Sequence, residues 1–513
     1  MPTPNEKLAA SLTALRDLQK AGQRVFQSQG FTRTDRERLL QNGFLQEVIK
    51  GWLISSGPGA RDGDSTPWYA SFWEFCARYC GERFGDQWYL SPEQSVLLHA
   101  ENTVIPAQVI IHSPKGTNNK ITLLFGTSLY DLKQPKLPPE ADLTERDKLR
   151  LFSPAAAMVR VTEAFLTSHP IETQVVLASM RDESELLRRL LDGGHSVVAG
   201  RLAGAFRRIG RAEAADQIVT TMKATGYDVR ETDPLAGLAA LRPAPVTIAP
   251  IVGRMQAMWE SMRGKALEVF PAPPGLPADK DAYLKLVEDI YRSDAYHSLS
   301  IEGYSVSPEL MERVRAGAWN PDNLDADRQS RDALAARGYW QAFQVVKANV
   351  AEIIAGANPG RLVRTAHRDW YRELFQPCVR AGPIAPSALA GYRNDAVYLR
   401  TSRYVPPRWE AVRDGMPALF DLLAAEPEPG VRAVLGHWLF GYVHPYPDGN
   451  GRMTRFLMNA MLASGGYPWT VIRVEDRTAY LSALDRASID TDIGPFAQFI
   501  AERVRCSMEK PPA

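Results

Sequence analysis

Twelve consecutive residues, His444 to Arg455 (HPYPDGNGRMTR), constrain this chain more than any other segment, because they make two helices meet across a loop suited to an anion. The preceding stretch, GVRAVLGHWLFGYV, sets Val434, Trp438 and Gly441 on one helical face, and Pro445 forbids that helix from passing His444. Beyond the loop, Met453, Phe456, Leu457, Ala460 and Met461 recur at i, i+3, i+4, i+7 and i+8. That is the apolar stripe of a second helix beginning near Asn450, with Arg452, Arg455 and Asn459 on the other face. Between the helices, Gly449, Asn450 and Gly451 allow successive N–H groups to turn inward beside the positive end of the new helix, an arrangement that holds a polyphosphate. Asp448 is a carboxylate suited to the Mg²⁺ that travels with a nucleotide. The two arginines offer forked donors to phosphate oxygens.

The same residues resemble, position by position, the Fic family signature HxFx(D/E)GN(G/K)RxxR, with Tyr446 where Phe is usual. The resemblance implies that His444 is the catalytic base for a target hydroxyl and Asp448 the metal ligand. It further implies that Gly449, Asn450 and Gly451 cradle the α and β phosphates, while Arg452 and Arg455 grip the β and γ phosphates. The implied reaction is transfer of AMP from ATP, with Mg²⁺, to a Ser, Thr or Tyr hydroxyl of a protein substrate. Gly451 distinguishes the chain from the kinase-like Doc branch, which carries Lys there.

A second motif, SLSIEG at Ser298 to Gly303, is similar to the inhibitory (S/T)xxxE(G/N) helix of regulated Fic proteins. Glu302 is then the inhibitory glutamate. Its carboxylate would pair with the Arg455 guanidinium as a fork and stand where the γ phosphate belongs, with Ser298 supporting it from one turn earlier. The resemblance also implies that this glutamate can serve removal of AMP. A third segment, GYRNDAVYLRTSRYVPP at Gly391 to Pro407, resembles the Fic flap, a hairpin that aligns an extended target by strand addition; Val397, Tyr398 and Leu399 suggest its strand. Helical segments around Gln341 to Ile353, Arg361 to Phe375, Val431 to Val443 and Ala479 to Arg486 complete an all-α Fic bundle, and His367 and His437 on them are expected to be packed or solvated rather than catalytic.

The N-terminal region has a different pattern. It predicts a helix from Glu6 to about Ser28, a turn at Gly30, a short helix from Thr34 to Gln41 and a strand VIKGWLI bending at Gly51, the order of a winged helix-turn-helix. Residues 1–56 hold eight basic against five acidic groups, and Arg33, Arg36 and Arg38 cluster where they could meet DNA phosphates. With LSPEQSVLLHAENTVIPAQVIIHSP, this region resembles the AbiEi antitoxin and transcriptional-regulator family over roughly residues 15–240. A further basic run, GRLAGAFRRIGR, presents Arg201, Arg207, Arg208 and Arg211 and could extend a phosphate-binding surface. The alternative to a freestanding enzyme is thus a DNA-binding autoregulator, or a toxin-antitoxin-like fusion, whose Fic domain is held off in cis.

The expected fold class is multidomain. A winged helix (1–56) and an AbiEi-like α/β domain (57–240) precede a linker with the inhibitory helix (241–303) and an all-α Fic domain with a short β-hairpin flap (304–505). A net charge of +1 over 513 residues gives no global pull toward nucleic acid. Four cysteines, Cys76, Cys80, Cys378 and Cys506, are too few and too scattered for a disulfide framework, and MPTPNEK lacks a signal-peptide core, so the chain is expected to be cytoplasmic. No apolar run approaches the ~18 residues of a membrane span. A homo-oligomer is compatible with the sequence.

Overall fold

A computed structural model describes residues 3–20, 22–59, 63–236, 249–316 and 331–509. The fold divides into two compact units, one drawn mainly from Met1–Gly237 with Tyr398–Val405, the other from Ile251–Val397 with Pro406–Ala513. The first residues of the expected linker (241–303), 241–248, lie outside the described residues.

The first unit opens with α1 (Pro4–Gln19), started by a Thr3–Glu6 capping box. The predicted long helix does not continue to Ser28. Gly22 takes a left-handed φ of +73°, which ends the helix, and Val25 and Phe26 are then buried in strand β1 (Val25–Gln27). After α2 (Arg33–Gln41), the predicted bent strand is a hairpin of β2 (Leu45–Ile49) and β3 (Trp52–Ser55), because Gly51 at φ +89° turns the chain back. The three strands form an antiparallel sheet in the order β1-β3-β2.

Helix α3 (Thr66–Phe84) supplies the core of this unit through Trp68, Phe72, Phe75, Cys76, Cys80 and Phe84, so both thiols are packing groups. Next come β4 (Tyr89–Leu90), α4 (Pro92–His99), β5 (Gln108–Ser113), β6 (Asn119–Thr122) and β7 (Ser128–Lys133). They form a mixed sheet β4-β5-β7-β6 in which only β5 and β7 are parallel. A hairpin of β8 (Leu143–Arg146) and β9 (Leu149–Phe152) precedes six helices: α5 (Pro154–Arg160), α6 (Glu163–Ser168), α7 (Pro170–Ser179), α8 (Ser184–Asp192), α9 (Ser196–Arg208) and α10 (Ala212–Ala224).

The basic run on and after α9 is neutralised locally. Arg201 pairs with Glu163 (2.7 Å), Arg207 with Asp216 and Glu231 (2.7 Å each), Arg208 with Asp233 (4.0 Å) and Arg211 with Glu183 (3.2 Å). Arg38 is likewise spent inside its own unit, donating to Ser11 Oγ (2.7 Å) and the Lys7 carbonyl (3.1 Å). Val397 to Leu399 form no strand. Instead, the Ile105 N–H donates to the Arg403 carbonyl (2.8 Å) and Thr103 Oγ1 donates to that of Val405, within the first unit.

The second unit is helical: α11 (Pro250–Val269), α12 (Lys280–Ile301), α13 (Pro308–Arg315), α14 (Arg331–Ile354), α15 (Pro359–Ala381), α16 (Trp409–Ala425), α17 (Pro429–Val443), α18 (Asn450–Ala463), α19 (Arg477–Ile489) and α20 (Gly494–Glu509). Helices α17 and α18 form its centre, with thirteen residues of α18 buried, from Asn450 to Ala463 except Gly451. His367 and His437 are packed, each hydrogen-bonded to a tyrosine hydroxyl, Tyr392 (2.8 Å) and Tyr480 (2.7 Å).

Glu426, between α16 and α17, anchors α11. Its buried carboxylate accepts from Trp259 Nε1 (3.2 Å) and from the Arg263 fork (2.8 and 2.9 Å). Replacing it by Ala leaves an indole N–H and a guanidinium without their anion, a loss of about 3 kcal/mol. Urea unfolding followed by tryptophan fluorescence should show the midpoint falling in Glu426→Ala, and an unchanged midpoint would contradict this anchoring role.

Candidate active site

Pro445 ends α17 as the sequence requires, and the helix closes on His444 in a left-handed conformation (φ 50°, ψ 59°). A non-glycine residue pays for such a backbone, and a residue before proline is pushed away from helical angles as well, so this turn stores on the order of 1–3 kcal/mol. The imidazole Nδ1 lies 3.3 Å from the Gly441 carbonyl. A carbonyl only accepts, so Nδ1 carries the proton and Nε2 keeps its lone pair. Burial pushes the His444 pKa down to about 4, opposed by the Gly441 hydrogen bond and aided by nearby Arg393. At neutral pH the ring is therefore uncharged and able to accept a proton.

The loop after His444 is tied to itself. Asn450 Nδ2 donates to the Tyr446 carbonyl (2.7 Å) and its Oδ1 accepts from the Tyr446 N–H (3.0 Å), so its amide builds the turn. What Asn450 offers an anion is its backbone at the start of α18, where the first N–H groups have no intrahelical partner. Gly449 stands at φ +79°, and a Cβ there would come within 2.7 Å of the Phe375 ring. Gly451 is equally confined, since a Cβ would meet Glu302 Oε1 at 2.2 Å. Asp448 is largely exposed at the mouth; its Oδ1 accepts from the Gly449 N–H (2.6 Å). No group of three His, Cys, Asp or Glu able to hold a metal occurs among the described residues. A lone, exposed carboxylate fits Mg²⁺ that brings phosphate oxygens and water as its remaining ligands, and does not fit a permanently bound ion.

Both arginines of the motif are buried. Arg452 lies between the rings of Tyr304 (5.4 Å) and Phe375 (5.0 Å), with Asp448 3.8 Å away. Arg455 is held by α12: its Nε donates to Ser298 Oγ (2.8 Å), and its Nη2 to the Ser298 carbonyl (3.0 Å) and to Glu302 Oε1 (2.7 Å). Glu302 does contact Arg455, but not as the expected fork, because Ser298 takes part of the guanidinium and supports the arginine rather than the glutamate. Burial raises the Glu302 pKa, and Arg455, Arg452 and Arg477 more than offset this, so its carboxyl ends below the usual value. The end of α12 is fixed in turn by Arg477, whose Nε donates to the Ile301 carbonyl (2.8 Å). Of the residues singled out in the sequence, the structure brings Ser298 and Glu302 against Arg455, Glu302 against Gly451, and Asp448 beside Gly449 and Arg452. Sequence reasoning did not single out Tyr304, Phe375, Arg477 or Arg393, although Tyr304 directly follows the SLSIEG segment and Arg393 lies inside the flap-like segment.

The second unit is thus a helical bundle carrying a glycine-flanked loop at a helix start, a neutral histidine and two buried arginines. Residues 361–462 match the family model described as Fic/DOC family. Over 257 residues it is 40% identical to protein adenylyltransferase Fic of Nematostella vectensis, covering 49% of this chain and 54% of the relative. It is 30% identical over 133 residues to protein adenylyltransferase fic-1 of Caenorhabditis elegans, covering 25% of this chain and 26% of the relative. The chain therefore spans about half or less of the length of these curated relatives. Among solved structures, Fic-1 (aa134–508) from C. elegans aligns at 19% identity and a TM-score of 0.37, over 67% of this chain and 97% of that one.

Tyr446 departs from the motif at a cost visible in the packing. Its ring stacks on Tyr371 (centroids 3.8 Å apart, planes within 7°), yet its buried hydroxyl has no hydrogen-bond partner among the described residues. Tyr446→Phe keeps the stack and removes an unsatisfied group, so thermal melts should show the variant at least as stable as its parent, by up to about 1 kcal/mol. A lower melting temperature would mean that the hydroxyl is satisfied after all.

Proposed function

We propose that this chain is a protein adenylyltransferase that transfers AMP from ATP to a Ser, Thr or Tyr hydroxyl of a target protein and is held off by Glu302. The observation that carries the proposal is the convergence, on one helix start, of a neutral His444, the Gly449–Gly451 turn and two buried arginines. The names of the matched relatives support the same chemistry. In this reading the target oxygen bonds to the α phosphorus, the bond to the bridging oxygen breaks, pyrophosphate leaves and the hydroxyl proton passes to His444 Nε2. The start of α18 and the arginines stabilise phosphate charge, and Asp448 would hold the Mg²⁺, which supplies further charge neutralisation.

Inhibition follows from competition. The Arg455 Nη2 proton engaged by Glu302 is not open to a γ phosphate, and the carboxylate repels one. Removal of AMP by water positioned at Glu302 is a second activity that the same carboxylate could serve. With labelled ATP and Mg²⁺, Glu302→Gly should incorporate label at least about tenfold faster than the unsubstituted protein, and adding His444→Ala should cut this by ~10² to 10⁴ while nucleotide binding survives. Equal labelling by all three proteins would sink the proposal.

The pH dependence follows from the depressed histidine pKa. A base works deprotonated, so kcat/KM of Glu302→Gly should show no inflection near 6.5 and should fall only as the pH approaches about 4. A midpoint at the ordinary histidine value would remove His444 from the role of buried base.

The N-terminal unit supports a second, compatible reading as a DNA-binding winged helix, and with it the AbiEi-like autoregulator or in-cis antitoxin. The favouring observation is the order α1-β1-α2-β2-β3 with the sheet order β1-β3-β2. Against an extensive phosphate surface, Arg38 and the arginines of the α9 run are engaged internally, and the exposed Arg33 is paired with Glu37 (2.8 Å). Binding should therefore be weak and strongly salt-dependent, and loss of a gel shift in Arg33→Glu with Arg36→Glu is the expected outcome. No shift at low salt by the unsubstituted protein would reject this reading.

A further inference from the structure

Arg393 lies in the flap-like segment Gly391 to Pro407, far from the signature in sequence, and the chemistry described above gives it no task. Its side chain is buried. Nε donates to the His444 carbonyl (2.8 Å), Nη1 to that of Asp395 (2.9 Å), and Nη2 to those of Val443 (3.4 Å) and Pro407. Its backbone N–H donates to the Pro445 carbonyl (2.9 Å). Three successive carbonyls, Val443, His444 and Pro445, thus take hydrogen bonds from one residue at the place where α17 ends and its last carbonyls lack helical partners.

We propose that Arg393 is the positioning residue that holds His444 in its left-handed turn and so fixes the imidazole that takes the hydroxyl proton. Two features of the turn make such a clamp necessary. His444 carries a Cβ, which disfavours left-handed angles, and it precedes a proline, which disfavours helical ones, so sterics lead away from the angles it adopts. The helix carbonyls on either side of the strained peptide must also be satisfied in a buried place, where a donor with a fixed planar fork can reach several acceptors at once. An ammonium group is a point donor on a flexible stem and cannot span the same set. Every hydrogen bond named here ends on a backbone carbonyl, which makes the shape of the guanidinium, more than its charge, the selected property.

This inference rests on the proposed role of His444, and its test separates the two. In the Glu302→Gly background, Arg393→Ala and Arg393→Lys are compared with the parent for AMP transfer, and the backbone shifts of His444 are read by NMR of histidine-labelled protein, assigned by their loss in His444→Ala. The expected result is a fall in kcat of at least tenfold in both variants, with KM for ATP within about twofold because the start of α18 and the arginines are untouched. Partial recovery of Arg393→Ala by added guanidinium is expected, together with His444 Cα and carbonyl shifts that leave the left-handed range. Parent-like kcat and unmoved shifts would overturn the proposal. So would a joint loss of kcat, ATP affinity and melting temperature in the Lys variant, which would make Arg393 a general scaffold residue. If the parent itself transfers no AMP, the enzymatic reading fails, and the His444 shifts still decide whether Arg393 sets the turn.

Discussion

A guanidinium taken out of water must be met by acceptors, and the buried Arg455 is the group around which this helical unit is organised. Leaving such a cation without a partner costs several kcal/mol, more than most single packing defects. The fold meets the requirement from α12, through the Ser298 hydroxyl, the Ser298 carbonyl and the Glu302 carboxylate. The same requirement would be met by a phosphate. Two anions that both suit one buried cation, and that cannot share its Nη2 proton, make binding at this point competitive without any moving part beyond a side chain. Gly451 makes the contact sterically possible, because its missing Cβ is the space into which Glu302 reaches.

The histidine is governed by the opposite effect. Burial without a facing anion in contact disfavours the imidazolium, so the ring stays neutral, and the Gly441 carbonyl decides which nitrogen keeps the lone pair. Two helix ends therefore meet here: the last turn of α17 supplies the carbonyl that orients the imidazole, and the first turn of α18 leaves N–H groups without intrahelical partners. The loop between them is short because Asn450 folds its amide back on Tyr446, and nothing in that arrangement depends on a bound ligand.

What could be seen in the sequence was whatever depends on neighbours within a turn or two. The stop at Pro445, the start at Asn450 and the face shared by Arg452 and Arg455 follow from local sterics and from a period of 3.6, and the helices have those ends. Long-range pairings were invisible. Arg207 meets Glu231 and Arg38 meets Ser11, so runs that look like open basic surfaces are already neutralised or engaged. Arg393 meets His444 across 51 residues, a separation at which no periodicity applies. The misplaced helix end near Gly22 has a different cause: helix propensity continues toward Ser28, but burying Val25 and Phe26 in a sheet outweighs it.

The segment from Ser298 to Tyr304 engages two arginines by two kinds of force. Arg455 is met by a carboxylate, whose attraction is partly screened because the Glu302 side chain is 31% exposed. Arg452 is met by the faces of Tyr304 and Phe375, where the contact is largely dispersion and ring quadrupole and responds little to salt. The carboxylate is therefore paired with Arg455, while Tyr304 covers Arg452. The end of α12 that carries both contacts is itself held by the Arg477 hydrogen bond to the Ile301 carbonyl. The placement of Glu302 against Arg455 therefore depends partly on α19, outside the Ser298–Gly303 motif, because α19 holds the end of the helix that carries the glutamate.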